Sequence, residues 1–182
     1  MDRQPKLEGE RLLLRPLGEG DREELYAVAS DPELWALHPA HDRWQRPVFD
    51  AMFDDALAHG GGLAVIERAG GAIIGSSQFR PSAQIAGAVE IGWTFLARDH
   101  WGGTANRELK RLMLGHALGA AERAVFRVGA DNLRSRRAME KIGGRLTDAA
   151  QEVMFPDGRT ITHVFYEIDR AGFAAGPLMR AA

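Results

Sequence analysis

The chain has 182 residues, 45% of them apolar and 26% charged, enough for one domain with a real core and unlike a disordered segment. It holds no cysteine, which excludes a disulfide framework, a thiolate zinc site and a cysteine nucleophile, and suits a cytoplasmic protein. A net charge of −2, a mean hydropathy of −0.25 and the lack of any 18-residue apolar run argue against nucleic-acid and membrane partners.

In chain order, residues 11–17 form a short apolar run broken by Pro16 and Gly18, a first strand. Residues 21–30 carry Leu25, Val28 and Ala29 at helical spacing, with Asp21 as N-cap and Glu24 three residues on. Residues 31–47 hold three prolines together with Trp35, His38 and Trp44, and read as an irregular connection. Residues 48–58 are a second helix, closed by Gly60-Gly61-Gly62. Residues 63–67 and 72–79 flank Gly70-Gly71 as a hairpin. Residues 88–96 are a fourth strand, whose alternation puts Val89, Ile91, Trp93 and Phe95 on one face and Glu90, Gly92, Thr94 and Leu96 on the other.

Residues 106–123 are the strongest helix, with Leu109, Leu112, Met113, Ala117 and Leu118 as its apolar stripe. A short strand at 125–128 leads to a helix at 133–142, opened by Asn132 and closed by Gly143-Gly144. Strands at 144–155 and 160–169 are joined by Pro156-Asp157-Gly158. Residues 171–182 read as a fraying tail behind a single domain over 1–170. The order β-α-α-β-β-β-α-β-α-β-β predicts a mixed α/β fold with helices on the sheet faces, and not a doubly wound dinucleotide-binding fold.

The small net charge conceals an asymmetry. Residues 1–97 sum to −6, residues 98–145 to +6 and residues 146–182 to −2. A positive stretch within an acidic protein points to a small anionic ligand, or to a well-solvated Arg-rich helix pair. Inside that stretch, strand 88–96 passes through Asp99-His100-Trp101-Gly102-Gly103-Thr104 into the long helix. A glycine turn at a helix start offers backbone N–H groups and the positive dipole end to a phosphate, with Gly103 as a candidate for positive φ. By itself such a turn is a weak signal. The loop is not a Walker loop, because no Gly-Lys-Ser/Thr follows.

After the next short strand the sequence runs Asn132-x-x-Ser135-x-x-x-x-Glu140-Lys141-x-Gly143. This motif, following a Trp-Gly-containing strand–turn–helix, resembles the GNAT superfamily of acyl-CoA N-acyltransferases, and within it the RimJ/RimL-like branch. The resemblance spans about residues 7–169. It implies a mostly antiparallel sheet of about seven strands whose fourth and fifth strands splay apart, flanked by about four helices. It implies acetyl-CoA as co-substrate, a primary amine as acceptor, no metal, and a monomer or homodimer. The pantetheine arm would lie along Trp93 to Ala97, touching Phe95, Leu96 and Ala97. The pyrophosphate would sit on the amides of Gly102, Gly103, Thr104, Ala105, Asn106 and Arg107. Asn132 and Ser135 would face the thioester end. The loop departs from the family pattern at Asp99 and Thr104, and Met139 stands where many relatives have a tyrosine acid.

Attack of an amine on a thioester needs a neutral nitrogen, a stabilised oxygen and a protonated leaving sulfur. Glu90 is the candidate base, with a plain surface-facing strand glutamate as its alternative. Ser135 is the candidate proton donor, with a hydroxyl bonded to its own helix backbone as its alternative. A backbone N–H of the fourth strand would hold the oxyanion. Trp35, His38, His41 and Trp44, with Glu90, are candidates for the acceptor pocket, or simply pack an irregular loop. His163 is a further residue that can face the cleft, whereas His100 and His116 read as packing. No His/Asp/Glu set has metal spacing, and no serine-hydrolase elbow occurs. An acyl-CoA-binding module without catalysis is the competing function.

Overall fold

Pairing of neighbours in sequence builds most of the sheet. The computed structural model describes residues 1–155 and 157–180. Strands β1 (Leu7–Glu8), β2 (Leu12–Pro16), β3 (Gly62–Glu67), β4 (Ile73–Pro81) and β5 (Val89–Leu96) follow one another in space as in the chain, each antiparallel to the last. β6 (Arg123–Gly129) joins β5 in parallel. β8 (Thr160–Asp169) lies between β6 and the outer β7 (Arg145–Met154), antiparallel to both. Among the described residues this makes one sheet of eight strands, against about seven expected. The additional strand is β1, which is two residues long. Pro156 of the expected β7–β8 turn lies outside the described residues.

Six α-helices occur among the described residues, against about four expected. α1 (Arg22–Ala29), α2 (Pro32–Trp35) and α3 (Arg46–His59) cover one face of the sheet, packing Leu25, Trp35, Phe49 and Phe53 against Ala64, Ile66 and Phe95. α4 (Ala105–Ala120), α5 (Leu133–Lys141) and α6 (Arg170–Ala175) cover the other, where Leu109, Met113 and Met139 meet Leu63, Val65, Ile91 and Tyr166. β3 is buried on both faces, which is why it reads as an unbroken apolar run and not as an alternation. Each such buried Leu, Ile or Phe contributes roughly 1.5–3 kcal/mol. No helix among the described residues is long and apolar enough to cross a membrane.

Two expectations are corrected here. The 31–47 stretch is not wholly irregular, because Asp31 accepts from the Glu33 N–H at 3.0 Å and caps α2, with Pro32 at its first position. The segment after 170 does not fray within the described residues. It forms α6 and a short 3-10 turn at Pro177–Met179, buries Leu178, and is tied to α4 by Arg107, which donates to the carbonyls of Pro177 and Arg180.

The third correction concerns the face assignment along β5. Ser76 pairs with Phe95 but Gln78 pairs with Gly92, so β5 carries an extra residue there, a β-bulge. Trp93 sits in it with φ +51°, a strained value for a bulky side chain. The bulge reverses the alternation. Ile91 and Leu96 both enter the α4-side core, while Phe95 packs under Trp35 on the opposite side. Trp93 accordingly turns to the side of Glu90, where Arg80, the cross-strand partner of Glu90, stacks on its ring at 4.1 Å.

Candidate active site

Past Glu90 the sheet opens. β5 and β6 pair only at Val89–Ala124 and Glu90–Val125. From Ile91 and Phe126 onward the two strands diverge, the splay expected between the fourth and fifth strands counted from sequence. The wedge leads into a cleft of about 430 Å³, within the range of small-molecule sites.

One end of the cleft is built from backbone. Gly102 has φ +72° and turns the chain from a 3-10 turn at Arg98–His100 into α4. The left-handed conformation falls on Gly102, not on Gly103 as expected from sequence. The N–H groups of Gly102 through Arg107 find no acceptor among the described residues, the first cap bond being Glu108 N–H to Thr104 O at 2.9 Å. Six open donors at the positive end of a 16-residue helix suit a phosphate. Arg134 of α5 stacks on Trp101 at 4.3 Å and adds a cation to the same mouth. Asp99, the acidic departure in this loop, bonds His100 Nδ1 at 2.8 Å and does not line the cleft. Burial opposes protonation of His100, and the hydrogen bonds to Asp99 and Glu67 outweigh it, so its pKa lies above the ordinary value. Buried Glu108 pins this helix start to β2, its Oε1 accepting from the N–H of Arg11 at 3.0 Å and of Leu12 at 3.4 Å.

Gly102→Val is expected to weaken binding of a phosphate-bearing ligand at this turn by about tenfold or more, because a β-branched residue at positive φ costs on the order of 1–3 kcal/mol or rearranges the loop. Calorimetry on the folded variant checks this, and an unchanged affinity would place the phosphates elsewhere.

The middle of the cleft holds a group that the sequence reading passed over. Lys110 of α4 is buried, and its Nζ donates to Thr94 Oγ1 at 2.8 Å, with the Phe126 ring at 5.2 Å. Thr94 Oγ1 in turn lies 2.8 Å from Ser77 Oγ. Lys110 has no carboxylate partner among the described residues, and burial pushes its pKa down to about 7. A signal was present: 110, 113, 114 and 117 share one helix face, and the other three are apolar and buried. Across the gap, buried Asn132 caps α5, its Oδ1 accepting from the Ser135 N–H at 3.1 Å. The Ser135 hydroxyl lines the cleft and finds no partner among the described residues.

The other end gathers Trp35, His38, Arg43, Glu90, Trp93, Arg127 and His163. Glu90 is 7% exposed, so it is not a surface residue. Burial raises its pKa, against the pull of Arg127, whose Nε lies at 3.5 Å, and of Arg80. Trp35 is largely core, its Nε1 donating to Ala29 O at 2.7 Å.

Of the residues singled out from sequence, Phe95, Leu96, Gly102 and Asn106 also line the cleft. Gly103, Thr104, Ala105 and Arg107 are not in the lining; their N–H groups find no acceptor among the described residues, and the Arg107 side chain points to the C-terminal segment. Ala97 is not in the lining, and its N–H is spent on Ile74 O at 2.8 Å. Trp44 and His41 lie outside the cleft; the Trp44 carbonyl accepts from Tyr26 OH at 3.3 Å, and His41 sits 3.3 Å from Arg159. Arg43, Arg127 and Arg134 are functional candidates that sequence spacing did not single out.

A family model described as an acetyltransferase (GNAT) domain matches residues 11–145. Solved structures share the fold over most of their length. A GCN5-related N-acetyltransferase from Brucella melitensis superposes with a TM-score of 0.76 at 21% identity, over 94% of this chain and 81% of its own. RimJ from Mycobacterium smegmatis, solved with CoA-disulfide, gives 0.69 at 16% identity, over 92% and 86%. Spermidine N-acetyltransferase from Vibrio cholerae, solved with CoA and spermine, gives 0.65 at 16% identity, over 91% and 99%.

Proposed function

Because the chain belongs to the GNAT acetyltransferase domain family, we propose that it moves the acetyl group of acetyl-CoA to a primary amine by direct attack within a ternary complex. The observation that carries this reading is the pairing of an interrupted sheet with a run of open N–H donors, Gly102 to Arg107, of which Gly102 and Asn106 line the same cleft. Acetyl-CoA supplies an acetyl group already activated as a thioester. The amides of Gly102–Arg107, with Arg134, would hold its phosphates. The edge of β5 left unpaired by β6 would take the amides of its pantetheine arm. Within the family, the RimJ/RimL-like branch rests on the motif of Asn132, Ser135, Glu140, Lys141 and Gly143; the RimJ neighbour supports the fold alone.

The remaining chemistry belongs to the side chains. Glu90 takes a proton from the ammonium, directly or through a water, and frees the nitrogen lone pair. As the new C–N bond forms and the C–S bond breaks, the nitrogen gives up its second proton to solvent, and Ser135 passes its hydroxyl proton to the sulfur and recovers one from solvent. The carbonyl oxygen gathers negative charge, which a backbone N–H of β5 would hold, in a cleft that Lys110 also lines. A non-catalytic acyl-CoA module has less support, since Glu90 and an unpartnered Ser135 hydroxyl share one cleft.

The test is calorimetric titration with acetyl-CoA, followed by thiol release with a panel of amines. At 100 times its dissociation constant, acetyl-CoA is expected to stabilise the fold by about 2.7 kcal/mol. No binding at millimolar acetyl-CoA would overturn the reading, and binding without thiol release from any amine would favour the non-catalytic module.

A further inference from the structure

Cations outnumber carboxylates in the cleft. Arg43, Lys110, Arg127 and Arg134 line it, with Glu90 as the one carboxylate among its described lining residues. At the Glu90 end, Arg127 is accounted for: it lies 3.5 Å from Glu90 and donates to Gln151 at 3.3 Å. Arg43 is not. It has no carboxylate within ion-pair distance among the described residues, and Asp42 and Asp55 attract it only from farther away.

The near polar neighbour of Arg43 is His38 Nε2 at 3.4 Å. That contact cannot be a hydrogen bond. His38 Nδ1 accepts from the Ala40 N–H at 2.9 Å, so a neutral imidazole carries its proton on Nε2, facing another donor. Burial first, and then Arg43, keep the ring neutral, with a pKa down to about 3. The guanidinium therefore stands over the Trp35 ring at 5.5 Å, half-buried and cationic, with no hydrogen-bond acceptor among the described residues. His163 lines the same cleft as His38 and Arg127, with its Nδ1 buried and its ring beside the Ile161 backbone. Leaving the Arg43 guanidinium unmatched is costly unless a ligand completes it.

We infer that the acceptor carries an anionic oxygen group, a carboxylate or a phosphate, near its amine, with Arg43 binding the oxygens while Glu90 faces the nitrogen. The inference rests on the acetyltransferase reading and names its acceptor class. A planar guanidinium fork matches either group in two-point contact. A polyamine would bring further positive charge among four cations and one carboxylate.

Matched acceptors test it: L-amino acids against their amides and decarboxylated amines, O-phosphoethanolamine against ethanolamine, and spermidine. kcat/KM comes from thiol release, and binding of each acceptor from calorimetry with CoA present. The anionic member of at least one pair is expected to be favoured by roughly 10–100-fold, the scale of one charge-assisted contact; the favoured pair distinguishes carboxylate from phosphate. Arg43→Met and Arg43→Lys are expected to shrink that ratio through KM while acetyl-CoA affinity holds. Equal use of the amide, preference for spermidine, or an Arg43→Met ratio unchanged while both members fall would overturn the inference. Binding of acetyl-CoA with no anionic amine bound or acetylated overturns the acceptor class and spares the acetyltransferase reading. Absence of acetyl-CoA binding overturns both.

Discussion

Glu90→Gln is expected to lower turnover by about 10²–10⁴-fold with acetyl-CoA affinity unchanged, the usual span for a positioned general base. An α-amine with pKa near 8 is about one-tenth neutral at pH 7, whereas a lysine amine near 10.4 is neutral at under about one part in a thousand. The deficit should therefore shrink as pH approaches the acceptor's own pKa, where the amine no longer needs a base. Ser135→Ala should instead keep its deficit at that pH, because protonating the sulfur is a separate step. In the wild type, activity should rise with pH through the Glu90 titration, which burial sets above 4.5 against Arg127 from β6 and Arg80 from β4. The same displacement has a stability sign. A carboxyl whose folded pKa is raised contributes stability below its unfolded pKa and loses it as pH rises through the folded one. Ionised Glu90 thus costs stability at neutral pH, and the Gln variant should melt no lower than the wild type at pH 7. Near wild-type turnover in both variants with a confirmed acceptor would remove these residues from the chemistry.

Lys110→Met is expected to stabilise the protein at neutral and lower pH. The folded pKa, pushed by burial to about 7, lies below the ordinary 10.5. Between those values the unfolded chain holds a proton that the folded one lacks, so stability rises with pH over that window. The cost of the lysine is complete below about pH 7 and gone above about 10.5. Methionine has similar length and no charge, and forfeits one hydrogen bond to Thr94 worth about 1 kcal/mol. A net gain of roughly 2–4 kcal/mol at pH 6 is expected after that loss. At about 2–4 °C per kcal/mol for a chain of this size, the midpoint should rise by about 5–10 °C. Thermal melts from pH 6 to 10 check it. A gain that does not fade toward pH 10 would show that the folded chain keeps Lys110 protonated throughout.

Local periodicity made the skeleton readable. Gly70-Gly71 marked the β3–β4 hairpin, and Asn132 marked the start of α5, because turns and caps are decided by neighbours in sequence. β5 follows the expected alternation as far as Gly92 and reverses it from Trp93 to Leu96. Nothing in Val89–Leu96 announces the extra residue that β4 leaves unmatched opposite Trp93, because a bulge is a property of two strands. The tail beyond 170 carries too few apolar residues to show a period, and its order comes from Phe173, Leu178 and Arg107 meeting across the chain. The cofactor end was legible as a glycine turn and a charge sum. At the other end Trp35, His38, Glu90 and His163 were legible as candidates and all line the cleft, whereas Arg43 and Arg127, from the α2–α3 connection and β6, share no spacing that marks them. Lys110 was legible in principle, since it shares a helix face with Met113, Leu114 and Ala117, all buried.

The two residue pairs that join β5 to β6 also bear on how the chain folds. Every other neighbour relation in the sheet lies within residues 7–96 or within 123–169, so each half-sheet closes on contacts made by its own contiguous stretch. The loop-closure entropy of joining the halves falls on one short junction at Val89 and Glu90 and on α4, which packs against both. The first 96 residues leave the ribosome with a complete set of partners for β1 to β4, while β5 waits with one edge open. The late, costly event is then the seating of α4 and the meeting of Val89 with Ala124. Substitutions there should slow folding, whereas substitutions in the outer β7 should mainly quicken unfolding.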